Sequence, residues 1–263
     1  MKLKGYTNNT FLQDNIVVKE SIEFHDLYLD KKNEFNFLSE LKKIKQDCLL
    51  KPLEFNLTKN KLTSKFEFLS DFKSLEQIDI NKDIIDMVIE NIMEMHSLNI
   101  EKDKVKKFEY VNFLNIFHKN TDKKLKEYDE YIDQIKEYEI LFDSLDLVLS
   151  HNDLVPGNIL ISNDKAIFID YDYVTLNNKF FDIASFITET LNNNEEFIDY
   201  FIKKLIKVNV INKDDLDILN KMIKYQDLLW TLWANFMYEK KKEKIFEEIM
   251  IEKLNRLKNR KTY

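Results

Sequence analysis

Three side chains in the middle of the chain, His151, Asp153 and Asn158, stand in the spacing H-x-D-x-x-x-x-N. An aspartate so placed can accept the proton of an attacking hydroxyl, and an asparagine five positions on offers a hard oxygen to Mg2+. Asp170 follows twelve residues after Asn158. A hairpin of Asn158 to Ser162 and Lys165 to Asp170, turning at Asn163-Asp164, would carry its carboxylate back to the amide across one metal ion. Mg2+ prefers oxygen ligands and keeps waters and phosphate oxygens in its shell, so one carboxylate and one amide are sufficient protein ligation. This is the composition of a phosphoryl-transfer site. Aspartate and asparagine also gather in turns for backbone reasons alone, but here four elements coincide in the strand-turn-strand context the motif demands. The loop also holds Pro156 and Gly157, in a chain with only two prolines and two glycines.

The elements that must position these groups can be read from periodicity. Thr10 to Asp14 and Ile16 to Lys19 alternate as strands about a turn at Asp14-Asn15, and Phe35, Leu38, Leu41 and Ile44 mark a helix over Asn33 to Lys45. Short strands at Leu53 to Phe55 and Lys65 to Leu69 complete a small α+β lobe over residues 1–70. The remainder, 71–263, is mostly helical: Ile84 to Ser97, a helix or helix pair over Asp122 to Leu147, and helices from Phe181 onward, with the Asn158 to Asp170 hairpin as the one strand-like interruption. The basic stretch Lys240 to Lys261 reads as a solvated helix face.

Composition narrows the class. A chain of 263 residues with 44% hydrophobic content can bury a substantial core, and one cysteine, Cys48, forms neither an intramolecular disulfide nor a cysteine metal cluster. The first ten residues contain no apolar signal core and no later window suits a membrane span, so the expectation is a soluble cytoplasmic protein without membrane insertion. Forty basic against 47 acidic residues give a net charge of −7, which argues against nucleic acid as partner and suits a small cationic substrate.

Taken together, the loop His151-Asn-Asp-Leu, the Gly157-Asn158 pair, Ile169-Asp-Tyr-Asp-Tyr173 and Phe181-Asp-Ile-Ala184 resemble the choline/ethanolamine kinases of the aminoglycoside-phosphotransferase-like group. Gly5-Tyr-Thr-Asn8 is similar to that family's nucleotide loop, and Met95-His96 to its Leu-His helix end. The resemblance implies a two-lobed protein-kinase-like α+β fold with ATP and Mg2+ in the cleft. It implies Asp153 as catalytic base, with His151 beside it bracing the loop, Asn158 and Asp170 as Mg2+ ligands, and Lys19 over the α/β-phosphates with Glu34 as its helix partner. Thr7 and Asn8 would line the nucleotide loop. A lysine held by a carboxylate is a positioned charge for a triphosphate, which agrees with the Lys19 and Glu34 roles. The chain departs from the family where a second glycine usually adjoins Gly5, where arginine often replaces Lys19, and where Asp172 stands for the usual glutamate. Asp182 suits either a helix cap or a loop anchor.

The acceptor clue is Asp227-Leu-Leu-Trp-Thr-Leu-Trp233, which holds both tryptophans of the chain, three residues apart. On a helix this spacing puts two indoles on one face, either as core packing or as walls for a cationic head group. The family's choline pocket has a similar stretch, so the expectation is a cage of Trp230 and Trp233 with Asp172, Tyr173 and Tyr238 completing it. The expected reaction is transfer from ATP to choline, giving phosphocholine, by a monomer or homodimer. Ethanolamine or an aminoglycoside as acceptor, or a non-catalytic module binding a cation, are the alternatives.

Overall fold

The computed structural model describes residues 1, 3 and 5–263; Lys2 and Lys4, part of the opening stretch read for an apolar signal, lie outside the described residues. Strands β1 (Asn8–Gln13) and β2 (Ile16–Ser21) meet at Asp14 and Asn15, whose φ angles of 49° and 60° make the tight turn expected there. Asp30 caps α1 (Lys31–Leu41) by accepting the backbone N–H groups of Lys32 and Asn33 at 3.0 and 2.9 Å. The helix starts and stops earlier than the expected Asn33 to Lys45. It buries Phe37, Leu38 and Leu41 and packs on β3 (Pro52–Thr58) and β4 (Lys61–Glu67). The sheet is antiparallel in the order β1-β2-β4-β3.

After β4 come β5 (Lys73–Ser74), α2 (Lys82–Ser97), α3 (Tyr110–Lys119), α4 (Glu127–Asp143), β6 (Leu147–Ser150), β7 (Ile159–Ile161), β8 (Ala166–Phe168) and β9 (Thr175–Asn178). The chain then runs through α5 (Phe180–Ser185), a π-helical turn at Phe186–Leu191, α6 (Glu195–Lys207), α7 (Leu216–Lys241) and α8 (Lys244–Asn259). The hairpin β7-β8 forms as expected, with Ile159 opposite Phe168, and β5 joins its edge.

Three expectations are corrected. Asp122 to Leu147 is not helical throughout: α4 stops at Asp143 and Leu147 opens β6. The β7-β8 hairpin is not the only strand structure of the larger lobe, because β6 pairs antiparallel with β9; hydrogen bonds between segments so far apart leave no local periodicity. Nor is the final basic stretch simply solvated. Lys242 breaks it in the left-handed conformation at φ 58°, and α8 folds back on α7 with Lys253 and Arg256 buried. Lys253 Nζ meets Glu189 at 2.5 Å, Arg256 donates to the Thr188 carbonyl, and Arg260 holds Asp227 at 2.6 and 3.0 Å, so each buried cation has its partner.

The lobes are joined where the chemistry sits. Phe168 donates its N–H to the Cys48 carbonyl at 2.8 Å and accepts the Leu50 N–H at 3.2 Å, tying the segment after α1 to the end of β8. Just beyond, Tyr171 packs edge-on against Phe37 and Phe66 of the first lobe at 5.1 and 6.1 Å. The residues flanking Tyr171 are Asp170 and Asp172, so this packing fixes both acids at the lobe boundary.

Candidate active site

The catalytic-loop candidates follow β6. Asn152 takes a left-handed φ of 65°, a conformation that asparagine and aspartate tolerate better than other non-glycine residues, and this turns the chain before Asp153. Asp182, inside α5, accepts the backbone N–H groups of His151 and Asn152 at 3.0 and 2.7 Å and faces His96 Nε2 at 2.9 Å. It is thus the loop anchor of the two roles the sequence allowed, not a helix cap. Burial alone would raise its carboxyl, but the bonds and charge of His96, with His151 and the Asn152 N–H, hold it below the ordinary range. Its stabilising contribution is therefore present above the unfolded value and is lost as pH falls through the depressed folded value. Asp182→Asn is expected to flatten the acid-side loss of stability in urea unfolding measured from pH 7 down to 3; an unaltered pH dependence contradicts the anchor's charge.

His151 is fully buried, and its Nε2 meets the Ile169 carbonyl at 3.0 Å. It braces the Asp153 loop against the segment leading to Asp170, and burial lowers its pKa. Asp153 lies close to Asn158, whose amide donates to Asp153 Oδ2 and to the Asp153 carbonyl, both at 2.9 Å. Burial, reinforced by Asp170, Glu189 and Asp172, pushes the Asp153 carboxyl well above the ordinary carboxylate range. A carboxylate with raised proton affinity is what a base for an alcohol proton requires.

Asn158 spends its NH2 group on Asp153 and keeps its amide oxygen for another partner. Pro156 opens a short 3-10 turn that sets it in place, and Gly157 lets the turn approach Glu76, whose Oε1 would lie 3.3 Å from an added Cβ. Across the hairpin, Ile169 donates to the Asn158 carbonyl at 3.0 Å, so the next residue, Asp170, is delivered beside Asn158. Asp170 adopts φ 68° and keeps 34% of its side chain exposed, the most open acid of the group around Lys19. Among the described residues no cluster of three or more His, Cys, Asp or Glu forms a metal cage. A hard cation that brings phosphate oxygens and water with it needs no such cage, and one carboxylate and one amide oxygen could hold it.

On β2, Lys19 is buried and its Nζ meets Glu34 at 3.0 Å, Asp170 at 2.5 Å and Asp172 at 2.9 Å. Lys31 adds a second cation, 3.0 Å from Asp172 and 3.4 Å from Glu34. Burial pulls the Lys19 ammonium down, but Asp170, Asp172 and Glu34 outweigh it and hold it well above its ordinary value. Burial likewise pushes Asp172 up, and Lys19 and Lys31 with the Thr7 hydrogen bond overcome it, leaving the carboxyl well below the usual range. At Glu34 burial prevails and the carboxyl is raised.

The tryptophans come together beside these acids. Trp230 and Trp233 stand edge to face at 5.9 Å, and Tyr173, three residues beyond Asp170, meets Trp230 at 5.6 Å. Trp230 Nε1 donates to Gln226 at 2.8 Å and Trp233 Nε1 to the Tyr28 hydroxyl at 3.4 Å.

Residues 64–258 match the family model described as choline/ethanolamine kinase. The chain belongs to the choline/ethanolamine kinase family. It is 26% identical over 190 residues to Protein LicA of Haemophilus influenzae, an alignment covering 65% of this chain and 53% of that protein. The chain thus spans about half the length of that relative. A LicA homolog of Metamycoplasma hominis is 26% identical over 256 residues, covering 86% of this chain and 95% of its own. The solved choline kinase LicA of Streptococcus pneumoniae superposes with a TM-score of 0.76 at 16% identity over 98% of this chain and 92% of that one. The fold is the protein-kinase-like fold of that group, and the family is one of phosphotransferases with alcohol acceptors.

Within this family member, two expected site assignments change. Asp172 was expected to face the acceptor, but Thr7 and Asn8 each donate to its Oδ2 at 2.7 Å while Lys19 and Lys31 take Oδ1. Its side chain is 3% exposed, so Asp172 ties the N-terminal loop to the larger lobe. Tyr238 forms no ring pair with Trp230 or Trp233 among the described residues; its ring faces the Lys242 ammonium at 6.0 Å. Three residues had gone unassigned: Lys31, Asn152 and Glu189. Lys31 carries a readable signal, the i, i+3 spacing to Glu34, but it lies N-terminal to the expected helix start at Asn33. Asn152 and Glu189 depend on a left-handed turn and a π-helical turn that no local pattern marks.

Proposed function

We propose that this chain transfers the γ-phosphoryl group of ATP to the hydroxyl of choline, giving phosphocholine and ADP. Residues 1–70 form the nucleotide-binding lobe and 71–263 the catalytic and acceptor-binding lobe. Asp153 takes the hydroxyl proton as the choline oxygen bonds to the γ-phosphorus and the bond to the leaving ADP oxygen breaks. Asn158 and Asp170 would hold Mg2+, which when bound supplies positive charge to the phosphates. Lys19, positioned by Glu34, adds a fixed ammonium to the same region, with Thr7 and Asn8 on the covering loop. Among the described residues no helix is long and apolar enough to cross a membrane, which suits a small dissolved acceptor.

The observation that carries the acceptor reading is the contact of Trp230 with Trp233 and with Tyr173, itself three residues beyond Asp170. A quaternary ammonium donates no hydrogen bond, so aromatic faces are its natural partners. An ADP-release assay across choline, ethanolamine and an aminoglycoside tests it: choline is expected to give the highest kcat/KM, and preference for either other acceptor overturns the assignment. Trp230→Ala and Trp233→Ala should each weaken choline by roughly 1–2 kcal/mol while sparing ATP affinity. Equal loss of both ligands would mark the pair as core packing only.

A further inference from the structure

Five aromatic rings stand edge to face in one row: Tyr6 with Phe246 at 5.7 Å, Phe246 with Trp233 at 5.6 Å, Trp233 with Trp230 at 5.9 Å and Trp230 with Tyr173 at 5.6 Å. Their interplanar angles run from 63° to 87°. In such pairs the positive edge of one ring meets the negative face of the next. A tetraalkylammonium seeks those same faces. The four rings from Phe246 to Tyr173 belong to the larger lobe, and Phe246, Trp230 and Trp233 are 1%, 7% and 8% exposed, so their packing holds them in place.

Tyr6 differs on both counts. It comes from the loop preceding β1 and is 41% exposed, so it can leave Phe246 and return at little packing cost. The next two residues, Thr7 and Asn8, donate to Asp172, the neighbour of Tyr173. The loop therefore touches the row at Phe246 and reaches the residue adjoining its other end. A segment fastened at both places crosses the ring row as a strap, with Tyr6 as its aromatic contribution.

We infer that Tyr6 is an acceptor-binding residue that closes the aromatic site from the N-terminal lobe and favours a methylated over a primary ammonium. The inference rests on the reading that a cationic alcohol lies against Trp230 and Trp233. A primary ammonium, which donates hydrogen bonds, gains less from an added ring than a quaternary one that has only its charge and methyl groups to offer. The loop read as covering the nucleotide thereby also grips the acceptor.

The test is steady-state kinetics of the full chain, with KM for choline, ethanolamine and ATP measured in Tyr6→Ala, Tyr6→Phe and Trp233→Ala. Tyr6→Ala is expected to raise the choline KM about fivefold, with less than twofold change for ethanolamine and ATP, and Tyr6→Phe to restore it. Equal rises for choline and ethanolamine, a rise confined to ATP, or no change in Tyr6→Ala overturns the Tyr6 role. If Trp233→Ala raises the choline KM while Tyr6→Ala does not, only this inference fails. If neither does, the aromatic acceptor site falls with it.

Discussion

Asp153→Asn is expected to lower turnover by at least ~10²-fold, and by up to ~10⁴-fold if the proton transfer is fully general-base assisted. The asparagine keeps the shape and can still pair with the Asn158 amide, which now sits 2.9 Å from Asp153 Oδ2. What it loses is the ability to accept a proton. Because burial, reinforced by Asp170, Glu189 and Asp172, raises the proton affinity of Asp153, the wild-type carboxylate is a stronger base than an ordinary one. ATP affinity, read by calorimetry, should stay within a factor of two, since Asp153 shares no ion pair with Lys19 or Lys31 among the described residues. Turnover near the wild-type value in this variant would remove Asp153 from the mechanism.

Lys19→Met is the second large effect, and it acts on stability as well as rate. Lys19 and Lys31 balance Glu34, Asp170 and Asp172 in a group whose members, Asp170 excepted, are almost wholly buried. Removing one ammonium leaves three carboxylates around one cation. Breaking a buried pair in this way costs about 3–5 kcal/mol, because the stranded charge is not rehydrated. Urea unfolding in the absence of divalent ions is the measurement. Glu34→Gln in the same background should recover part of the loss, with a coupling of about 0.5–3 kcal/mol between the two positions. Turnover of Lys19→Met should fall by about 10²-fold or more, the scale of losing one fixed charge from a site where negative charge is gathered. A Lys19→Met protein with wild-type stability would show that the cluster is solvated in solution and not organised as described.

How far the sequence made this legible follows from the range of the interactions involved. The Asp14-Asn15 turn, the capped helix carrying Glu34 and the β7-β8 hairpin are short-range structures, and each announces itself in residue types within a few positions. The hairpin is also what makes Asn158 and Asp170 readable as a pair, because its register sets Asn158 opposite Ile169, the residue before Asp170. The β6-β9 pairing was not legible, since its hydrogen bonds join Leu147 to Asn178 across the whole catalytic segment. The same holds for the buried cations of α8. Lys253 and Arg256 look like any solvated lysine and arginine until Glu189 and the Thr188 carbonyl are placed against them by a π-helical turn.

Asp172 shows the limit most clearly. Its position next to Tyr173 suggested an acceptor-facing acid, and proximity in sequence to the aromatic residues was sound. Its side chain, however, is claimed by Lys31 and the Thr7-Asn8 loop. Asp172 and Tyr173 lie in the turn between β8 and β9, where adjacent side chains can serve different partners, so a functional neighbour is weak evidence of a shared role.

The central claim is that Asn158 and Asp170 converge on one Mg2+ beside Asp153, and a magnesium titration of turnover in Asp170→Asn tests it most directly. Loss of the carboxylate should move half-maximal activity to a Mg2+ concentration at least about tenfold higher, corresponding to about 1.4 kcal/mol of lost metal affinity. A titration curve for Asp170→Asn that overlays the wild-type curve would contradict the account.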